Sequence, residues 1–142
     1  MSHITKIKVE IRDLNVLKDA CARLDFEFKE GQKKINWWGV YVGDSPLPEG
    51  VDASYLGKCD HAIKVPNAKY EIGVTQKGDT YELLYDSWYS GGLADALGPN
   101  AEKLIQAYAV EAAKAEAQRQ GYSVYEESLQ DGSVQLNIQV ED

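Results

Sequence analysis

Cys59, Asp60 and His61 set a thiol, a carboxylate and an imidazole within three consecutive residues. As a metal site they would need a third or fourth converging ligand, and His3 is the only other histidine. On a strand, Cys59 and His61 share a face, which suits ligation but supplies half of a tetrahedron. As nucleophile and base they lack an oxyanion-hole signature, and catalytic Cys and His usually come from separate parts of a chain. The segment reads instead as a polar strand start whose His61 hydrogen-bonds locally. Carboxylates are plentiful, but abundance does not make an acid–base pair. Neither Gly39 to Gly43 nor Ser90-Gly91-Gly92 matches a phosphate loop or a dinucleotide fingerprint. No catalytic residue, metal or cofactor is assigned, and an enzyme ranks behind a binding protein.

The aromatics carry the binding reading. All three tryptophans and six of nine tyrosines fall between residues 37 and 89, whereas phenylalanine occurs only at 26 and 28. Trp and Tyr join a large apolar body to a hydrogen-bonding tip, which suits half-buried surfaces facing a ligand. Trp37 and Trp38 point to opposite faces if their segment is a strand, so one is core and the other faces solvent or ligand. Tyr41 lies just beyond. Tyr85, Trp88 and Tyr89 stand at the exit of a hairpin beside Ser90-Gly91-Gly92. Lys58, His61 and Lys64 add donors to an acidic middle. Flat aromatic faces stack on nucleobases for about 1–3 kcal/mol per base, and a few donors hold an attached phosphate. Tyr70 and Tyr81 are assigned to the sheet.

Composition bounds the rest. The 142 residues suffice for one domain, 44% hydrophobic and 27% charged, which excludes wholesale disorder. The net charge of −8 is uneven: residues 35–100 hold four lysines against nine acids, and residues 123–142 hold five acids and no base. Such a balance opposes bulk nucleic-acid binding but leaves room for a small anion held by local donors. Two cysteines make no disulfide framework, and Cys21 reads as a small core residue. No apolar run approaches the roughly 20 residues of a membrane span, so a cytoplasm or an organelle stroma is expected.

The elements that must position these residues follow from periodicity. Residues 3–11 alternate as a half-buried strand. Asp13 caps a helix carrying Leu14, Leu17, Ala20, Cys21 and Leu24 on one face. Phe26 and Phe28 share a face of a short strand, and residues 37–42 read as another. Residues 43–58 form a loop of about 15 residues, a length more often functional than decorative. His61 to Val65 is a strand. Tyr70, Ile72 and Val74 turn at Gln76-Lys77-Gly78-Asp79 into Tyr81, Leu83 and Tyr85, the clearest hairpin. Asn100 is expected to cap a helix running to Gln120, with Gly121 as its stop. Its inward stripe is Ala101, Leu104, Ile105, Tyr108, Ala112 and Ala115, with Ala113 and Ala117 outward and its later half close to a sheet. Val124 to Leu129, Asp131-Gly132 and Val134 to Val140 make a second hairpin. The order gives a single α+β domain over residues 1–142, a largely antiparallel sheet packed against a long C-terminal and a short N-terminal helix.

Several runs resemble the hypothetical chloroplast reading frame 35 family. They are Met1-Ser2-His3-Ile4-Thr5-Lys6-Ile7-Lys8 with Ile11-Arg12-Asp13-Leu14 and Leu17-Lys18, then Tyr70-Glu71-Ile72-Gly73-Val74 and Gly78-Asp79-Thr80-Tyr81-Glu82-Leu83. Gln106-Ala107-Tyr108-Ala109-Val110, Gly121-Tyr122 and Asp131-Gly132 agree as well. The resemblance spans nearly the whole chain and departs in the middle, residues 37–60, longer here than in the plastid pattern. It implies relatives in algal plastids, cyanobacteria and phages, a family without an established role, and an AAA-class ATPase as a partner suggested by neighbouring genes. It supplies no catalytic residues.

The leading expectation is non-catalytic binding, even sequestration, of a small nucleotide-like molecule through Trp37, Trp38, Tyr41, Lys58, His61, Lys64, Tyr85, Trp88 and Tyr89. The alternative is a protein-interaction module, serving an AAA-class ATPase or self-association into a homo-oligomer. Its surfaces would be the long helix and the alternating C-terminal strand.

Overall fold

The computed structural model describes residues 4–6, 10–37, 47–51, 53–98 and 101–140. At its centre β4 (Glu71–Lys77) and β5 (Thr80–Asp86) form the hairpin expected from alternation. Lys77 pairs with Thr80, leaving a two-residue turn in which Gly78 takes a φ of 63°. A side chain resists that conformation, and hairpin turns of this length require it. Around this pair the strands β1 (Ile4–Lys6), β2 (Glu27–Lys29) and β3 (His61–Lys64) complete an antiparallel sheet in the order β1-β5-β4-β3-β2. Ile11 adds a single bridge to Tyr81.

The inner face carries Ile63, Ile72, Val74, Leu83 and Tyr85, packed with α1 (Leu14–Arg23) and α3 (Glu102–Arg119) in one core. The Asp13 carboxylate caps α1 by accepting from the N–H groups of Asn15 and Val16. Cys21 is buried there, and burial pushes its thiol up to about 12, so it is inert packing. Tyr108 of α3 accepts at its hydroxyl from the Arg12 and Asp13 N–H groups, tying the two helices.

Several expectations on element bounds are corrected. Of the expected 3–11 strand, Ile4–Lys6 is strand, residues 3 and 7–9 lie outside the described residues and Glu10 is not strand; Trp37 lies in a bend rather than a strand. The rest of the expected 37–42 strand lies outside the described residues. Helix α3 begins at Glu102 with Ala101 as its N-cap at a φ of 58°, without a side-chain cap, so the expected Asn100 cap is not the cap used. A short helix α2 (Leu93–Leu97), hidden from the pattern by its length, buries Leu93 and Leu97. The C-terminal stop is as read: Gly121 takes a φ of 82°, with Gly121 N–H donating to Gln118 O and Tyr122 N–H to Ala117 O.

The strands β6 (Ser123–Ser128) and β7 (Val134–Gln139) form a separate two-stranded ribbon. It folds back along α3, with Gln106 Nε2 donating to Gly132 O and Lys114 paired to Glu126. Helix α3 therefore has two covered faces. Leu104, Ala107 and Tyr108 enter the main core, while Gln106, Val110, Lys114 and Ala117 recur at helical spacing on the ribbon side. Ala117 is buried, contrary to the outward position expected from a single stripe. The close approach expected of the helix's later half is to α1 and this ribbon, rather than to the main sheet.

Candidate functional site

Register puts Gly73, Thr75 and Lys77 of β4 and Glu82, Leu84 and Asp86 of β5 on the outer face, away from α1 and α3. An irregular two-stranded layer covers part of this face. Ile35 N–H donates to Gly57 O and Cys59 N–H to Lys33 O, both at 2.9 Å, with Lys34 opposite Lys58. That bond pattern makes Lys34 and Lys58 a non-hydrogen-bonded pair, the closer of the two antiparallel spacings. Like charges directly opposite one another destabilise a pairing. Ile35 and Cys59 turn down onto Gly73, where a Cβ would meet both.

Glu71 holds the layer in place. It is 3% exposed, and its Oε1 accepts from Asn36 N–H at 2.9 Å and Gln32 Nε2 at 2.8 Å. Its Oε2 lies 3.3 Å from Lys29 Nζ. Burial alone would raise the carboxyl, but Asn36, Gln32 and Lys29 together hold it below the usual carboxylate range. Glu71 N–H donates to Asn36 O in return, and the Cys59 thiol donates to Gln32 O at 3.1 Å. Burial, with Asp60 and Glu71 nearby, pushes that thiol up to about 11, so Cys59 is a poor nucleophile.

Two adjoining clefts open around this layer. The first is lined by Ile35, Trp37, Leu56, Gly57, Gly73, Leu84 and Asp86, and its free interior is about 20 Å³, the room of one water. Trp37 packs on Gly57, whose φ of 85° and lack of a Cβ both serve the contact: a Cβ there would stand 2.5 Å from Trp37 Nε1. The second is an open groove of about 470 Å³ lined by Lys33, Lys34, Lys58 and Lys77 with Asp60 and Thr75. Lys58 and Thr75 line both. Four lysines thus share one groove of a chain whose net charge is −8.

Of the expected site residues, Trp37, Lys58 and Tyr85 line the first cleft, Tyr85 from within the core. His61 does not: it lies on the inner face with its ring 5.5 Å from Phe28, and Nδ1 accepts from Gly31 N–H. The expected shared face for Cys59 and His61 fails because the chain bends at Asp60, before β3 begins. Asp60 itself accepts from Gln76 N–H. Lys64 stands at the far end of β3, opposite Glu71 and Glu27 in register. Tyr85 is 1% exposed and belongs to the core. Trp88 is half-buried and donates its backbone N–H to Asp86 Oδ1, shaping the exit of β5. Trp38, Tyr41 and the side chain of Tyr89 lie outside the described residues. Among the described residues no three Cys, His, Asp or Glu side chains converge as metal ligands, and no helix is long and apolar enough to cross a membrane. Sequence reasoning missed Lys33, Lys34 and Lys77. The Lys33-Lys34 dyad, three residues before Trp37, was the signal that could have found them.

Residues 48–137 match the family described as "Protein of unknown function (DUF1257)". The chain is also similar to the "Uncharacterized protein ycf35" of Pyropia yezoensis, 30% identical over 142 residues, covering 98% of this chain and 97% of the relative. No solved structure matches it.

Proposed function

The chain belongs to the DUF1257 family, to which the reading frame 35 resemblance also points, and we propose that it binds a small anionic, nucleotide-like molecule without transforming it. The observation that carries the reading is the contiguity of the Trp37 cleft with the four-lysine groove through Lys58 and Thr75. In this reading phosphate oxygens sit in the open groove, and an aromatic ring meets Trp37 at the groove's end. The Trp37 cleft must open for a ring to enter, since a single water fills it. A cytoplasm or an organelle stroma is the proposed setting, consistent with similarity to a ycf protein.

Calorimetric titration with ADP, adenosine and pyrophosphate tests the two halves separately. ADP is expected to bind more tightly than either half. Lys34→Ala is expected to weaken ADP and pyrophosphate about 5- to 10-fold, the loss of one charge-assisted contact. Trp37→Ala should weaken ADP and leave pyrophosphate unchanged. Absence of binding by all three probes at millimolar concentration would overturn the proposal.

A further inference from the structure

Strand β7 with the Val140 that follows it reads Val134-Gln135-Leu136-Asn137-Ile138-Gln139-Val140, seven residues without a charge, a proline or a glycine. Among the described residues no strand pairs with its outer edge. Soluble proteins guard such edges with lysines, prolines or bulges, and β7 has none. Its apolar residues are also incompletely covered: Ile138 is 49% exposed and Val140 59%.

Two features say what covers it. The first is the mirror pattern about Asn137. Laid antiparallel on a copy of itself, β7 sets Leu136 against Ile138, Gln135 against Gln139 and Val134 against Val140, with Asn137 on the twofold axis. A twofold axis sets residue i on j and j on i, and here that places apolar residues on apolar ones and amides on amides. The second is the phase of the backbone. Leu129 N–H donates to Ser133 O, one of the two bonds that flank a non-hydrogen-bonded Ser128–Val134 pair. Alternation along the ribbon register then makes Ser128–Val134, Glu126–Leu136 and Val124–Ile138 non-hydrogen-bonded pairs. The N–H and C=O groups of Val134, Leu136 and Ile138 therefore point to the open edge. Pairing about Asn137 joins outward Leu136 to outward Ile138 of the second copy, which is the phase a ladder needs.

We infer that β7 pairs antiparallel with β7 of a second copy of this chain about Asn137, making a four-stranded sheet from two ribbons. The half-exposed Ile138 then lies beside Leu136 of the partner subunit, and Val140 beside Val134 of the partner subunit. This surface lies on the ribbon, apart from the lysine groove, so the inference stands or falls independently of the ligand proposal.

Native mass spectrometry and sedimentation of the purified chain test it. The expected species at tens of micromolar is twice the 15.8 kDa chain mass, dissociating on dilution, as a small interface implies. Ile138→Lys, at an exposed position, should shift the population to monomer at the same concentration with an unchanged circular dichroism spectrum. The register is tested by Asn137→Cys, which on mild oxidation should form a disulfide-linked dimer through its own twofold mate, whereas Gln135→Cys should not. A wild-type monomer at about 100 μM, a dimer indifferent to Ile138→Lys, or equal cross-linking by both cysteine variants would each overturn it.

Discussion

The residue with the most leverage over the candidate site is one that never faces a ligand. Glu71 is buried under the layer it fixes, and its carboxylate joins Asn36, Gln32 and Lys29, three groups from the segment that carries Trp37 and the lysine dyad. Removing it leaves two part-buried hydrogen bonds and a partly exposed cation without their acceptor, so Glu71→Ala is expected to cost about 2 kcal/mol, read as a shift in the urea midpoint. Glu71→Gln keeps an acceptor for Asn36 and loses the pairing with Lys29, and should cost about half as much. The pH dependence has a definite sign. Because the folded carboxyl is held below its ordinary value near 4.5, its contribution is fully present above that value and is lost as pH falls through the lower, folded one. Stability of the wild type should thus fall more steeply below pH 4.5 than that of Glu71→Gln. Parallel curves would show that the carboxylate charge contributes nothing.

At the scale of elements, the ribbon of β6 and β7 depends on charge. Glu126 of β6 pairs with Arg23 of α1 and with Lys114 of α3, and Glu111 of α3 pairs with the same two cations. Two cations and two carboxylates tie three elements. The Arg23 guanidinium, then the Lys114 ammonium, lower the Glu126 carboxyl to about 2. The contribution of Glu126 to the ribbon's attachment is therefore complete above the ordinary value of 4.5 and fades as pH falls toward about 2. Amide exchange should report it: protection in β6 and β7 should fall over that interval while β4 and β5 stay protected. Glu126→Gln should produce the same loosening at neutral pH, worth about 1 kcal/mol for side chains that solvent still reaches. Uniform loss of protection across both sheets would refute a separate ribbon. Much of this architecture was legible in the sequence because its signals are local. The Asp13 cap, the Gly78-Asp79 turn, the Gly121 stop and the alternation of β7 each lie within a few residues. The layer over the outer face was not legible. Its pairing of residues 33–35 with 57–59 spans more than twenty residues, carries no alternation, and depends on a glutamate from a third segment. Lys33 and Lys34 also stand in the basic opening of the chain and Lys58 in its acidic middle, so charge counted by segment parts residues that the fold reunites. The double burial of α3 was hidden likewise, because a helix covered on two sides shows no clean stripe.

At the scale of the whole molecule, a chain of net charge −8 presents four lysines in one groove, so two fields of opposite sign act on an approaching anion. The global field repels at long range, and the groove attracts at contact. Salt separates them, because screening over a Debye length of about 8–10 Å near physiological ionic strength removes distant repulsion almost entirely while weakening contact attraction only in part. Global repulsion alone would make binding stronger as salt rises. If the groove is the site, contact attraction outweighs that repulsion. Pyrophosphate affinity should then fall several-fold between about 50 mM and 300 mM salt, adenosine should be indifferent, and Lys34→Ala should flatten the dependence. Affinity that rises with salt would place any anion site elsewhere on the surface.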